Sequence, residues 1–152
     1  MREYNTGPKG IEVPKMKVFI SHSSKDEALA AKVVSYLERA GLDVWYDERE
    51  IMPGDNSGEK IDQGLRESDA MVVLLTPNAL KDDFMNRRYV EYALTQKRFK
   101  GRLIPVLAGD SQQFQGWSIP WIFDHLPIIS LTENDTSDKD LDQIAQVLRN
   151  AA

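Results

Sequence analysis

The chain has 152 residues, a hydrophobic fraction of 41% and a formal net charge of −5, which suits one globular domain with one core. It contains no cysteine, so disulfides, thiolate nucleophiles and cysteine-based metal sites are excluded. The acidic balance disfavours nucleic acid and membrane surfaces as partners, and no apolar run approaches the ~20 residues of a membrane helix. The first residues lack the apolar core of a secretory signal, so we expect a cytoplasmic protein.

Predicted strands and helices alternate along the chain. Residues 1–15 contain two glycines and two prolines and are predicted to form an irregular leader before one domain at 16–152. In chain order, the pattern predicts a strand at 16–21, a helix at 26–40, a strand at 42–47, a helix at 61–70, a strand at 70–76, a helix at 81–97, strands at 102–107 and 127–131, and a helix at 138–149.

Three local features refine these elements. The run 70–76 is continuously apolar, which is typical of a strand buried on both faces. Pro105 lacks a backbone N–H, so it indicates an edge or a bulge in its strand. Pro53 and Gly54 predict a tight turn in the loop from Glu48 to Gly58, because proline presets φ and glycine tolerates a positive φ.

The alternation predicts an α/β fold, a three-layer flavodoxin-like sandwich with a five-stranded parallel sheet in strand order 2-1-3-4-5. Ligands in such folds bind at the carboxyl ends of the strands, near the switch in strand order. The loops that follow Ser21, Asp47, Thr76 and Leu107 are therefore the expected site.

Several segments together resemble the TIR (Toll/interleukin-1 receptor) domains of bacterial type. In chain order they are Val18–Asp26 (VFISHSSKD), Gly41–Asp47 (GLDVWYD), Ile51–Asp55 (IMPGD), Gly64-Leu65, Val72–Leu80 (VVLLTPNAL), Glu91–Leu94 (EYAL) and Gly101–Leu107 (GRLIPVL). The resemblance covers residues 17–150, and it extends to stand-alone TIR proteins of anti-phage defence such as the TIR component of the Thoeris system.

The resemblance implies two alternative functions, and the fold cannot choose between them. In NAD-linked immune or anti-phage signalling, such domains cleave NAD to nicotinamide and ADP-ribose or a cyclic isomer, so NAD is a substrate and no cofactor or metal is implied. Other TIR domains are non-enzymatic interaction modules or adaptors. Both alternatives imply self-association with other TIR domains, and the first also implies a separate effector protein that responds to the product.

The catalytic acid of the enzymatic family members has no match here. Those members resemble one another in a Trp-x-x-x-Glu motif on a helix, whose Glu stabilises the oxocarbenium-like ribose. Alignment on Ala93-Leu94 puts Met85 and Tyr89 at the Trp and Glu positions, and alignment on Phe84 puts Arg88 at the Glu position. Glu91 is the nearest carboxylate, two or three residues later, which is about 200° or 300° around the helix. Tyr89 and Glu91 are therefore the catalytic candidates.

Candidate substrate-binding residues follow the first two strands of the domain. They are Phe19, Ser21, His22, Ser23, Trp45 and Asp47. Backbone N–H groups near Ser23 would favour phosphate or simply start a helix, and His22 titrates near neutrality. Trp45 is suited either to stacking on a base or to the core, and Asp47 either to a ribose or to a turn. The resemblance further identifies Ile51, Pro53, Gly54 and Asp55 as the BB loop, which mediates TIR–TIR contacts.

Overall fold

The computed structural model describes residues 4–6, 12–81, 83–109, 123, 126, 128–131 and 138–151. Its strands are β1 Tyr4–Thr6, β2 Glu12–Pro14, β3 Lys17–Ser21, β4 Asp43–Trp45, β5 Ala70–Leu75, β6 Leu103–Ala108 and β7 Ile129–Leu131. Its α-helices are α1 Glu27–Arg39, α2 Asp47–Glu50, α3 Ser57–Glu67, α4 Pro77–Lys81, α5 Asp83–Thr95 and α6 Asp138–Asn150. No helix in these ranges is long and apolar enough to cross a membrane.

Strands β3 to β7 form one parallel sheet in the order β4-β3-β5-β6-β7. Counted from β3, this is the order 2-1-3-4-5, so the predicted fold class is confirmed. Strand β3 lies between β4 and β5, and Phe19 is paired in register with Trp45 on one side and Met71 on the other. The residues that follow β3 and β4 therefore meet at one edge of the sheet.

The two faces of the sheet bury different side chains. The aliphatic face packs against α1 and α6 through residues such as Val33, Leu37, Ile144 and Leu148. The aromatic face packs against α3 and α5, and its buried cluster is Phe19, Trp45, Leu65, Met71, Val73, Leu75, Val90, Ala93, Phe99, Leu103 and Phe123. The strict alternation of side chains along β3 sends Val18 and Ile20 to the aliphatic face and Phe19 to the aromatic face.

The structure differs from the sequence-based expectation at several short elements, one of which is the unpredicted five-residue helix α4. Within the stretch expected to be irregular, β1 and β2 pair as a two-stranded antiparallel sheet. Strand β6 has neighbours on both sides, so the expected edge is wrong; Pro105 is accommodated because pairing with β7 begins only at Val106. The single turn α2 was expected to be loop, and four residues are too few for a helical period to register.

Candidate functional site

A pocket of about 380 Å³ opens at the carboxyl ends of β3 and β4. Its lining residues are Phe19, Ile20, Ser21, His22, Ser23, Ser24, Trp45, Asp47, Ile61 and Tyr89. All six predicted substrate-binding residues and Tyr89 therefore meet in one cavity. Helix α3 contributes Ile61, which the sequence analysis did not single out.

The charged part of the pocket is a pair formed by His22 and Asp47. Nε2 of His22 lies 2.9 Å from Oδ1 of Asp47, and Nδ1 lies 2.7 Å from the carbonyl oxygen of Ser23. A carbonyl oxygen only accepts, so Nδ1 carries a proton, and Nε2 also donates when the ring is charged. The His22 side chain is 2% exposed, whereas that of Asp47 is 42% exposed and so is accessible from solvent.

This geometry favours the imidazolium form of His22. Burial by itself lowers the pKa of His22, but the hydrogen bonds to Asp47 and to the Ser23 carbonyl, together with the charges of Asp47 and Glu27, outweigh it. The pKa of His22 is consequently raised above its ordinary value of 6.5. The pair couples two loops that are 25 residues apart in the chain.

The aromatic floor of the pocket is held by close packing. The rings of Phe19 and Trp45 stack in parallel with centroids 4.8 Å apart. A Cβ added to Gly64 would lie 2.4 Å from Cε2 of Trp45, so the missing side chain lets α3 approach the indole. Trp45 is only 4% exposed. It therefore belongs to the core and shapes the wall of the pocket, and its ring has little surface for stacking on a ligand.

Tyr89 reaches the pocket from α5. Its ring meets Phe19 edge-to-face at a centroid distance of 5.7 Å. Burial raises the pKa of Tyr89, the charge of Arg88 lowers it and the charge of Asp47 raises it further, with a net upward shift. The phenol is therefore neutral near pH 7 and acts as a hydrogen-bonding group, next to the carboxylate of Asp47.

Glu91, the other catalytic candidate, lies elsewhere on α5. It is exposed to solvent and is not among the lining residues of the pocket. It lies two positions after Tyr89, so the helix turns it about 200° away from the direction of the pocket.

The BB-loop residues form a well-defined turn outside the pocket lining. The N–H of Asp55 donates to the carbonyl of Met52 at 3.0 Å, and Gly54 has a φ of 92°, as the third position of a type II turn requires. A side-chain oxygen of Asp55 accepts the N–H of Met52 at 2.9 Å. Met52 is 61% exposed at the base of this turn. Ile51 points the other way and packs against the aromatic face.

A second polar network supports the site and was missed from the sequence. Asp26 accepts hydrogen bonds from the Thr76 hydroxyl and, at 2.9 Å, from the Asn78 amide. It thereby ties the loop after β3 to the loop after β5. The available signal was that Thr76 and Asn78 follow the strand next to β3, while Asp26 was predicted only as the first residue of a helix.

The pocket contains groups that can bind a polar ligand. It combines an accessible carboxylate, a buried imidazolium that fixes it, a neutral phenol and aromatic walls. Among the described residues, no group of three or more His, Asp or Glu side chains is placed to hold a metal ion. A carboxylate beside aromatic rings suits stabilisation of positive charge on a sugar.

Comparison with known proteins agrees with this geometry. The model of the family described as the TIR domain matches residues 18–148. This chain belongs to the TIR domain family. The 2′ cyclic ADP-D-ribose synthase AbTIR of Acinetobacter baumannii is 39% identical over 74 residues, which are 48% of this chain and 28% of that protein. A human Toll/interleukin-1 receptor domain-containing adapter protein is 31% identical over 97 residues, 62% of this chain and 44% of the adapter.

Solved TIR structures share the fold of this TIR domain. The metazoan TIR-STING receptor from C. gigas, solved in complex with 2′,3′-cGAMP, superposes with a TM-score of 0.69 at 21% identity, over 86% of this chain and 38% of the receptor. At that identity the likeness concerns the fold alone. The chain spans less than half the length of either curated relative.

Proposed function

We propose that this TIR domain cleaves NAD at the bond between nicotinamide and ribose and releases ADP-ribose or a cyclic isomer. The observation that carries the proposal is the half-exposed carboxylate of Asp47 in an aromatic-walled pocket at the carboxyl edge of the sheet. The relatedness to AbTIR, a cyclic ADP-ribose synthase, adds support from an independent source.

In this proposal Asp47 supplies the carboxylate that the family's Glu supplies from the helix corresponding to α5. As the C1′–N bond breaks, its electron pair leaves with nicotinamide, and C1′ gains oxocarbenium character. The Asp47 carboxylate accepts hydrogen bonds from the ribose hydroxyls and stabilises the developing positive charge. A water molecule then adds to C1′ and loses its proton to solvent, which gives ADP-ribose; attack by a hydroxyl of the ADP-ribose itself gives the cyclic isomer.

His22 and Tyr89 position the reacting groups. The hydrogen bond from Nε2 of His22 fixes one carboxylate oxygen of Asp47 at the pocket wall. Tyr89 offers a neutral hydroxyl to the ribose, and Phe19 holds the Tyr89 ring by edge-to-face packing. Ser21 and Ser23, both largely buried in the lining, supply polar contacts at the inner end of the pocket.

The test is nicotinamide release from NAD by the purified protein over a range of protein concentrations. Asp47→Asn keeps an oxygen that accepts from His22 but removes the charge, and we expect a loss of roughly 100- to 1000-fold, typical for one electrostatic group. Glu91→Gln is the matched control, because it neutralises an exposed carboxylate on α5 and should leave the rate unchanged. Absence of release by the folded wild type at any concentration would refute the proposal; equal rates for wild type and Asp47→Asn would remove Asp47 from it.

A non-enzymatic interaction module is the second candidate. It is favoured by the tyrosine at the position of the family's acid and by the rigid turn that exposes Met52 beside Pro53. The relatedness to an adapter protein agrees with it. In that case the domain is inert towards NAD, and Met52→Ser weakens its self-association in sedimentation experiments without changing its stability.

Both candidates include self-association with other TIR domains through the BB loop, Ile51 and Pro53–Asp55. For the enzyme we further propose a role in NAD-linked anti-phage or immune-type signalling, in which a separate effector protein responds to the product. Deletion of the gene should then sensitise its host to phage, and an Asp47→Asn copy should fail to restore resistance.

A further inference from the structure

A second groove adjoins the first pocket between helices α3 and α5. It encloses about 340 Å³ and is lined by Ser57, Gly58, Ile61, Asp62, Leu65, Arg88, Tyr89 and Tyr92. Ile61 and Tyr89 line both cavities, so the two lie side by side and share a wall. Each volume falls within the ~300–1,000 Å³ typical of ligand pockets.

The groove differs from the first pocket in its charge and in its aromatic content. Arg88 is exposed and lines the groove next to Tyr89 in the chain, and its charge lowers the pKa of the Tyr89 hydroxyl. The acid of the groove, Asp62, is paired with Arg66 at 2.9 Å, which offsets its repulsion of an anion. The α3 helix begins at Ser57, so the positive end of its dipole faces the same groove.

Tyr92 gives the groove a fixed aromatic surface. Its hydroxyl accepts a hydrogen bond from Arg98 at 3.3 Å, and the guanidinium lies 5.8 Å from the ring centroid. Arg98 is itself anchored, because it donates to the carbonyls of Leu65 and Ser68 at the end of α3. A ring held in this way can stack on a base without losing rotamer freedom on binding.

We propose that this groove binds the adenylate half of NAD, with Arg88 on the pyrophosphate and Tyr92 against the adenine. The inference rests on the proposed function, because it takes the nicotinamide ribose to lie beside Asp47. A dinucleotide carries its two negative phosphates between its two ribosides. The chain presents matching features: a carboxylate in the first pocket, and a cation and an aromatic ring in the groove that shares a wall with it.

The groove can be tested without turnover by using ADP as the probe, since ADP lacks nicotinamide and the second ribose. We expect ADP to shift backbone amide NMR signals of α3 and α5 around Arg88 and Tyr92. Arg88→Gln should weaken ADP binding at least about tenfold, as loss of a charge-assisted contact implies. Lys139→Gln is the matched control, because it removes an equal charge from an exposed position on α6, outside the lining of both cavities.

Steady-state kinetics separates this inference from the proposed function. Arg88→Gln should raise KM for NAD while changing cleavage of nicotinamide riboside, which lacks both phosphates and the adenosine, by less than twofold. If the wild type cleaves NAD but Arg88→Gln does not change KM, the assignment of the groove to the adenylate is wrong. The proposed NAD cleavage is then unaffected. ADP binding in the groove of a protein that does not cleave NAD would overturn the proposed function and keep the groove as an adenylate site. If ADP does not bind, or if Arg88→Gln and the control variant bind ADP equally well, the assignment of the groove to the adenylate is wrong.

Discussion

The two faces of the sheet are equally well buried but are built from different side chains. Apart from Tyr46, the buried cluster of the aliphatic face consists of Val, Ile, Leu and Ala, closed by α1 and α6. The aromatic face carries Phe19, Trp45 and Phe99, and both described cavities that include Tyr89 open beside it. We infer that the aliphatic face supplies stability and the aromatic face supplies the site.

The largest expected effect on stability lies on the aliphatic face. Ile144 is fully buried between α6 and the sheet, so Ile144→Ala should lower the free energy of unfolding by about 2–5 kcal/mol. Urea unfolding measures this change. The rate of nicotinamide release per folded molecule should be unaltered. A loss of rate in the folded fraction would contradict the inference that the aliphatic face contributes to stability but not to the site.

Gly64→Ala should combine a smaller loss of stability with a change in the site. The added methyl meets the Trp45 indole at 2.4 Å, and overpacking of this kind costs about 1–3 kcal/mol. Displacement of Trp45 should also disturb its stack on Phe19, which is detectable as altered tryptophan fluorescence. Gly58→Ala, on the same helix, meets nothing closer than 3.4 Å and serves as the control for stability. Equal stability of both variants would contradict the packing described for Trp45.

Gly54→Ala tests the Met52–Asp55 turn of the BB loop, which lies outside the buried clusters on the two faces of the sheet. A φ of 92° costs an L-residue about 1–2 kcal/mol, so this variant should either lose that much stability or rearrange the Met52–Asp55 turn. We expect weaker self-association in analytical ultracentrifugation and an unchanged aromatic pocket. Unchanged association together with a normal stability would show that the turn geometry is not required.

The smallest effect is a dependence of stability on pH. The pKa of His22 is raised in the folded state, so its contribution is present below the unfolded value of 6.5 and is lost as pH rises through the folded pKa. The free energy of unfolding should therefore fall modestly between pH 6 and pH 8.5 in the wild type. His22→Gln should flatten that dependence in parallel urea titrations. A wild-type stability that rises over this window would contradict the charged pair.

The main strands and helices were predictable because the apolar patterns that indicate them lie within each segment of the sequence. The continuous apolar run of β5 and the helical spacing of apolar residues in α1 and α6 placed these elements within one or two residues. The order of strands followed from the alternation of strands and helices, which is typical of a flavodoxin-like sheet. The elements that were missed, β1, β2, α2 and α4, are three to five residues long, which is too short for either period to repeat clearly.

The site was predictable as a neighbourhood but not as a set of contacts. The expected edge of the sheet collects His22 and Asp47, yet their hydrogen bond depends on the register that pairs Phe19 with Trp45. The burial of Trp45 depends on the close approach of Gly64, a residue 19 positions away whose missing side chain carries no local pattern. The choice between Tyr89 and Glu91 turns on the rotation of α5, which one sequence cannot supply.

We propose that NAD cleavage requires a carboxylate in the first pocket and that Asp47 supplies it. The most direct test is nicotinamide release by Asp47→Asn with and without the added change Tyr89→Glu, since Tyr89 lines the same pocket from α5. We expect Asp47→Asn to release almost no nicotinamide and the double variant to recover a measurable part of the wild-type rate of release. Full activity of Asp47→Asn, or a folded double variant as inactive as the single one, would contradict it.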